Sequence, residues 1–228
     1  MSSNHKIDKT KTNTSLLWKY EQKWIAWAVP KVPQFINGRN LTWATAYWSI
    51  LVVLAGWLTK YSIHWIWGIS ALIVAQYITD SLDGALGRYR NSGLINWGHY
   101  VDHFLDFIFL CAIIISYVFI IPEYILFLLI LLVLLGAHYV STYLAFSYSK
   151  EFRMGVSGVS MNFLKIGLIV INACIVFWGT GFMKYLLMTM TVLAFVALYI
   201  VVYSTQREAE EFDEQNRKNS DQANEKLK

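Results

Sequence analysis

The sequence predicts an all-α, polytopic membrane protein, with six transmembrane helices preceded by an amphipathic helix lying in the membrane interface. Three observations carry this expectation. The chain has 228 residues, of which 56% are hydrophobic and only 15% charged, with ten Trp and fourteen Tyr, a balance foreign to soluble domains. Six charge-poor runs, at 41–59, 61–79, 98–121, 124–146, 155–182 and 185–204, match the ~20 residues that a helix needs to cross a bilayer. Basic residues, finally, gather in alternate connections between these runs, as they do when alternate loops face the cytoplasm.

The elements follow in order. Residues 1–15 are polar, whereas Leu16, Leu17, Trp18, Tyr20, Trp24, Ile25 and Trp27 are interleaved with Lys19, Glu21 and Lys23. That pattern is expected of a helix lying in the interface, because Trp favours the headgroup zone; an ordinary solvent-facing helix is the alternative. Pro30 and Pro33 end it, and Gly38 permits a turn into the first span. A cleavable signal peptide is not expected, since the first apolar run begins at residue 41 behind a basic segment and no A-x-A-like site follows. The domain reading is therefore a cytoplasmic segment over 1–40, a six-helix membrane domain over 41–204, and a charged cytoplasmic tail over 205–228. The tail mixes seven acidic with five basic residues and reads as a solvated helical extension that frays.

Residues 1–40 hold seven Lys or Arg, the second connection has Arg88 and Arg90, and the fourth has Lys150 and Arg153. The first, third and fifth connections offer only Lys60, none and Lys184. Both termini are thus expected in the cytoplasm, with the second connection; in a bacterium the membrane is the inner one. The pI of 8.9 follows from this bias and suits an anionic leaflet, so nucleic acid is not an expected partner. Cys111 and Cys174 lie in separate apolar runs and are expected to be free thiols.

Function is concentrated in one frame: Asp80-x-x-Asp83-Gly84-x-x-Gly87-Arg88, nine residues, then Gly98-x-x-x-Asp102-x-x-x-Asp106. A charge placed in hydrocarbon costs about 2.5–3.5 kcal/mol even on lenient scales, so these carboxylates need a cation or a reaction. Asp80 and Asp83, three apart, share one helix face at the end of the second run, where the helix dipole disfavours anions. Asp102 and Asp106, four apart, share a face near the start of the third. Clustered carboxylate oxygens are what Mg²⁺ or Mn²⁺ selects. Gly84, Gly87 and Gly98 clear space around them, and Arg88 offers a planar cation that forks onto phosphate oxygens. Together these describe a site for a metal-bridged diphosphate, with a carboxylate free to take a hydroxyl proton.

The frame resembles the signature of the CDP-alcohol phosphotransferase family, D-x-x-D-G-x-x-A-R, eight or nine residues, then G-x-x-x-D-x-x-x-D. Seven positions agree, a chance on the order of one in a billion at any starting point; Gly87 stands where the family usually has alanine. The resemblance implies that Asp80, Asp83 and Asp102 ligate a pair of divalent cations, Mg²⁺ or Mn²⁺, with Asp106 as fourth ligand or catalytic base. It implies further that Gly84, Gly87, Arg88 and Gly98 shape the cytidine-diphosphate pocket, and that the protein is a homodimer. In such enzymes an alcohol attacks the phosphorus distal to cytidine and CMP leaves. Six spans without a large extra domain favour CDP-diacylglycerol as donor and a small alcohol as acceptor.

Other polar residues have competing readings. His99 and His103 stand four apart beside the aspartates, which allows a zinc site, but His103 is better placed for hydrogen bonding around the carboxylates or for contact with the acceptor. The Asp102-His103 pair also resembles the choline and ethanolamine phosphotransferase branch, whose members transfer a phospho-alcohol from a CDP-alcohol to diacylglycerol. Lys165, ten residues into the fifth run, either contacts a phosphate or snorkels to the interface. Lys150 and Arg153 complete an anion pocket or mark the inside face. His138, Asn162 and Asn172 are expected to hydrogen-bond between helices. A cation transporter built on the four aspartates is the rival from another class. Transport sites lie near the midplane, though, and this cluster hugs one interface beside Arg88.

Overall fold

The computed structural model describes residues 16–92, 95–149 and 161–225. Among these, the ordered elements are helical: α1 (Leu16–Ala28), α2 (Gly38–Leu58), α3 (Ile66–Tyr89), α4 (Ile95–Ile120), α5 (Ile125–Ser149), α6 (Met161–Trp178) and α7 (Met183–Glu225), with single 3-10 turns before α2, α3 and α5. Four of them, α2, α4, α5 and α7, are long and apolar enough to cross a membrane, and they mark a membrane protein. Helix α3 differs because its last three turns carry Asp80, Asp83 and Arg88, and the apolar stretch found in α6 is the shorter Leu164–Trp178.

Close helix packing here rests on small side chains, since lipid gives helices little apolar reason to associate. On α2 the buried residues Thr42, Thr45, Ser49, Val52, Ala55 and Gly56 recur every three or four positions, which puts them on one face. That face meets α4 and α3. At the α2–α4 crossing a Cβ on Gly56 would stand 2.5 Å from Ser116 Cβ, so glycine is required by the approach of the two backbones. The central core joins Val52 to Ile66, Ile69 and Ile73 of α3, with Ile113 of α4 and Ile175 of α6. One polar chain crosses it: the Tyr117 hydroxyl donates to Asn172 Oδ1 at 2.6 Å, and Asn172 Nδ2 donates to Ser70 Oγ at 3.0 Å. Asn172 is thus the interhelical bonder expected, linking α4, α6 and α3. The side chain of Asn162 lies outside the described residues.

The buried stripe of α3 runs Ile66, Ile69, Ile73, Gln76, Asp83, so the face that is apolar at one end of the helix becomes the polar face of the frame at the other. Leu82 and Leu86 sit a quarter-turn away and pack against Val29, Trp24, Ile25 and Ala28. Helix α1 therefore docks on the frame's own helix, while Tyr20 and Trp27 stay 68% and 62% exposed.

Helix α3 outlasts its apolar run. It continues to Tyr89, nine residues beyond Asp80, and closes with Asn91 in the left-handed region at φ 50°. Ser92 N–H donates to Gly87 O at 3.0 Å and Asn91 N–H to Arg88 O at 3.2 Å, the paired bonds of a Schellman end. Since α4 begins at Ile95, four of the nine residues between Arg88 and Gly98 (Tyr89, Ile95, Asn96 and Trp97) belong to the two helices. The expected clash of Asp80 with the helix dipole weakens for the same reason, because that field fades within the last turn. Helix α7 runs unbroken to Glu225, about 65 Å at ~1.5 Å per residue, more than twice the ~30 Å hydrocarbon thickness. The tail is its continuation. Cys111 and Cys174 are free and half-buried.

Candidate active site

Two helices deliver the carboxylates. Asp80 and Asp83 come from α3, Asp102 and Asp106 from α4, and all four are near enough to repel one another. Asp83 and Asp102 face each other at hydrogen-bonding reach. Such a concentration of like charge is costly without a counter-charge. Asp83 is the most enclosed by residue exposure, at 8%.

Three of the four carboxylates, Asp80, Asp83 and Asp106, have a holder. Thr42 Oγ1 lies 2.9 Å from Asp83 Oδ2 and donates to it, and the Gly84 backbone N–H donates to Asp83 Oδ1. Gln76 Nε2 donates to Asp106 Oδ1 at 3.0 Å. Lys165 Nζ stands 3.1 Å from Asp80 Oδ2, with the two side chains 17% and 24% exposed. The Lys165 ammonium bonds an aspartate of the frame and ties α6 to α3, an arrangement that leaves its phosphate contact an expectation. Lys150 and Arg153 lie outside the described residues.

The glycines divide by use. A Cβ on Gly98 would meet nothing within 4 Å, and one on Gly84 would meet only Arg88 Nη1, at 3.5 Å. Gly84 and Gly98 thus border open space, with the exposed Arg88 guanidinium folded over the former. A Cβ on Gly38 would lie 3.2 Å from Asp83 O, so Gly38 lets the start of α2 approach α3 beside Asp83. A Cβ on Gly87 would meet only Ser92 Oγ, at 3.3 Å, in the turn that closes α3.

The donors suit a hard divalent cation. One ligand atom each from Asp102, His103 and Asp106 falls within 4.8 Å of the others, and with Asp80 and Asp83 adjoining, the set is dominated by carboxylate oxygen. His103 thereby joins the cluster, whereas His99 packs edge-on against it with ring centroids 4.5 Å apart. On the far side, the His103 ring faces Tyr143 of α5 at 6.2 Å.

Sequence reasoning missed Thr42, Gln76, Gly38 and Arg90. Gln76 had a visible mark, an amide inside an apolar run one turn before Asp80. Thr42 and Gly38 had none, because only tertiary packing brings the start of α2 onto the frame. Arg90, counted for its charge, instead donates to the carbonyls of Val32 (2.8 Å), Pro33 (3.1 Å) and Ile36, fastening the α1–α2 connection to the end of α3.

Comparison with known proteins agrees with this arrangement. The family model of CDP-alcohol phosphatidyltransferases matches residues 39–206, which include the whole frame, α2 from its second residue, and α3 to α6. No curated protein and no solved structure matches the chain. The family uses divalent metal ions and transfers substituted phosphate groups from CDP-linked donors. A match of this extent, over a frame whose four carboxylates converge in space, establishes that the chain is a membrane transferase belonging to the CDP-alcohol phosphatidyltransferase family.

Proposed function

We propose that this transferase moves a phosphatidyl group from CDP-diacylglycerol to a small alcohol acceptor, with release of CMP. The observation that carries the reading is the convergence of Asp80 and Asp83 with Asp102 and Asp106 at the α3–α4 pair. Helices α2 to α7 all cross the bilayer; α3 does so because Gln76, Asp80 and Asp83 turn toward protein partners rather than lipid. Helix α1 lies in the interface, both termini are cytoplasmic, the site opens on the cytoplasmic side, and the protein is a homodimer.

Asp80, Asp83 and Asp102 would hold Mg²⁺ or Mn²⁺, two ions per site, with Asp106 adjoining and His103 within reach. Bound there, the ions would supply charge neutralisation and alignment for the donor's diphosphate. Arg88, folded over Gly84 at the edge of open space, forks onto phosphate oxygens, and Gly84 and Gly98 admit the cytidine end. Asp106, steadied by Gln76, accepts the proton of the acceptor hydroxyl. The hydroxyl oxygen forms a bond to the phosphorus distal to cytidine; the bond from that phosphorus to CMP breaks, and its electron pair leaves with CMP.

The test incubates purified protein with CDP-diacylglycerol, Mg²⁺ or Mn²⁺ and a panel of alcohols, following CMP and lipid product. A parallel arm supplies CDP-choline or CDP-ethanolamine with diacylglycerol, and so decides the alternative donor class. The expected result is metal-dependent CMP release from CDP-diacylglycerol that Asp106→Asn abolishes. CMP from no CDP-linked donor, or full activity in Asp106→Asn, overturns the reading.

A further inference from the structure

Lys165 is held between two unlike partners. Its ammonium bonds Asp80 Oδ2 at 3.1 Å, and it also stands 5.7 Å from the centre of the Tyr77 ring, at the outer edge of a cation–π contact, which reaches to about 6 Å. Tyr77 and Asp80 are three apart on α3, so one face of the helix carries both. Behind the ring lies a carboxylate. The Tyr77 hydroxyl donates to Glu21 of α1, and Ser81 Oγ donates to Glu21 Oε1 at 3.4 Å. Glu21 is the one acidic residue of α1 and is half-buried; it precedes Trp24, Ile25 and Ala28 on the face that docks against Leu82 and Leu86. A polar line therefore runs from an inward-turned acid of α1 through Tyr77 to Lys165 and Asp80.

We propose that Tyr77 and Glu21 form a second seat for the Lys165 ammonium, to which it withdraws when a divalent cation takes Asp80. The inference rests on the proposed metal-holding role of Asp80 and adds two positioning residues to it. Without a cation, Lys165 neutralises Asp80. A divalent ion on the same carboxylate sets a second positive charge beside the ammonium, and at 17% exposure Lys165 cannot exchange its partner for bulk water. Its stem is flexible and its ammonium is a compact charge, so a short swing brings it fully onto the Tyr77 face. Glu21 draws on the phenol proton and thereby enriches the ring that faces the ammonium. The seat lowers the cost of freeing Asp80. Helix α1 thus enters the chemistry of the site through Glu21, although it carries no ligand.

The test measures the Mn²⁺ affinity of the full-length protein from the electron paramagnetic resonance of free Mn²⁺, with Tm alongside. Tyr77→Leu removes the face and should raise the Mn²⁺ Kd about threefold to tenfold, the size of a cation–π contact. Glu21→Gln leaves the ring in place and should raise the Kd about twofold or more; it carries the test if Tyr77→Leu does not fold. Lys165→Met should bind Mn²⁺ at least as tightly as the wild type, since no ammonium competes for Asp80. In that background Tyr77→Leu and Glu21→Gln should change the Kd no further. Equal weakening with and without Lys165, weaker Mn²⁺ binding in Lys165→Met, or a fall in Tm at unchanged Kd in Glu21→Gln would make the line a mere anchor for α1. Any of these overturns the second seat and leaves the proposed function standing. A wild type that binds no Mn²⁺ overturns the metal-holding role of Asp80 as well.

Discussion

Thr42 Oγ1 and Asp83 Oδ2 meet at 2.9 Å across the α2–α3 crossing. The contact joins the first turn of α2 to the most enclosed carboxylate of the frame, beside the point where Gly38 allows the two backbones together. A threonine forty-one residues upstream thus decides how one carboxylate of the frame is aimed.

Removing that hydroxyl leaves Asp83 with one bond fewer in a buried setting. A hydrogen bond to a charged group is worth about 1.5–3 kcal/mol, so Thr42→Val should lower kcat/KM about tenfold to a hundredfold. Thr42→Ser should keep most of the activity, since it keeps the hydroxyl. The Mg²⁺ titration of CMP release separates an effect on metal holding from general damage, and the half-saturating Mg²⁺ concentration should rise in Thr42→Val.

Lys165 on Asp80 leads to a prediction whose size depends on metal. The pair is mostly buried, and removing one partner of such a pair strands the other charge. Lys165→Met should therefore lower Tm by about 3–6 °C in the absence of divalent ions. Added Mg²⁺ should restore much of the loss, because it supplies the missing positive charge to the same aspartates. A Tm deficit that is the same with and without Mg²⁺ would separate Lys165 from the metal cluster.

How much of this was legible in the chain depended on the range of the interaction. Asp80, Asp83, Asp102 and Asp106 were readable because three- and four-residue spacings map directly onto one helix face, and the helices they sit on bear that out. The small-residue stripe of α2 was not, since its Thr, Ser and Gly carry no apolar period and gain meaning only from the partner backbone. How far α3 continues past Asp83 was not legible for a related reason. Its polar end is helical because the Schellman bonds and the packing of Leu82 and Leu86 on α1 hold it, whereas the apolar run stops at Thr79. Lys165 was noticed as an anomaly, yet its partner lay eighty-five residues away.

Arg90 makes a further link between segments. Its guanidinium gathers the carbonyls of Val32, Pro33 and Ile36, a use of the planar fork that lysine cannot reproduce. Arg90→Lys should loosen the connection between α1 and α2 more than it disturbs the helices. Hydrogen exchange over residues 32–41 should quicken at least tenfold while exchange in the core of α4 is unchanged. Equal protection in the variant would show that the connection is held by other contacts.

The glycines supply the sharpest separation of packing from function, because the same Gly→Ala change has opposite expected effects at two sites. At Gly56 the added methyl would sit 2.5 Å from Ser116 Cβ and 2.6 Å from its Cα. Helices α2 and α4 would have to part, at about 1–3 kcal/mol, and Tm should fall by several degrees, with activity following the amount of folded protein. At Gly98 the methyl meets nothing, and alanine is the better helix former by about 1 kcal/mol, so Tm should hold or rise. If the space beside Gly98 receives the cytidine end of the donor, Gly98→Ala should nevertheless raise the donor KM about tenfold or more while the acceptor KM is unchanged. A stable Gly98→Ala enzyme with wild-type donor KM would place the nucleotide elsewhere on the α3–α4 pair, against Gly84 and Arg88 alone.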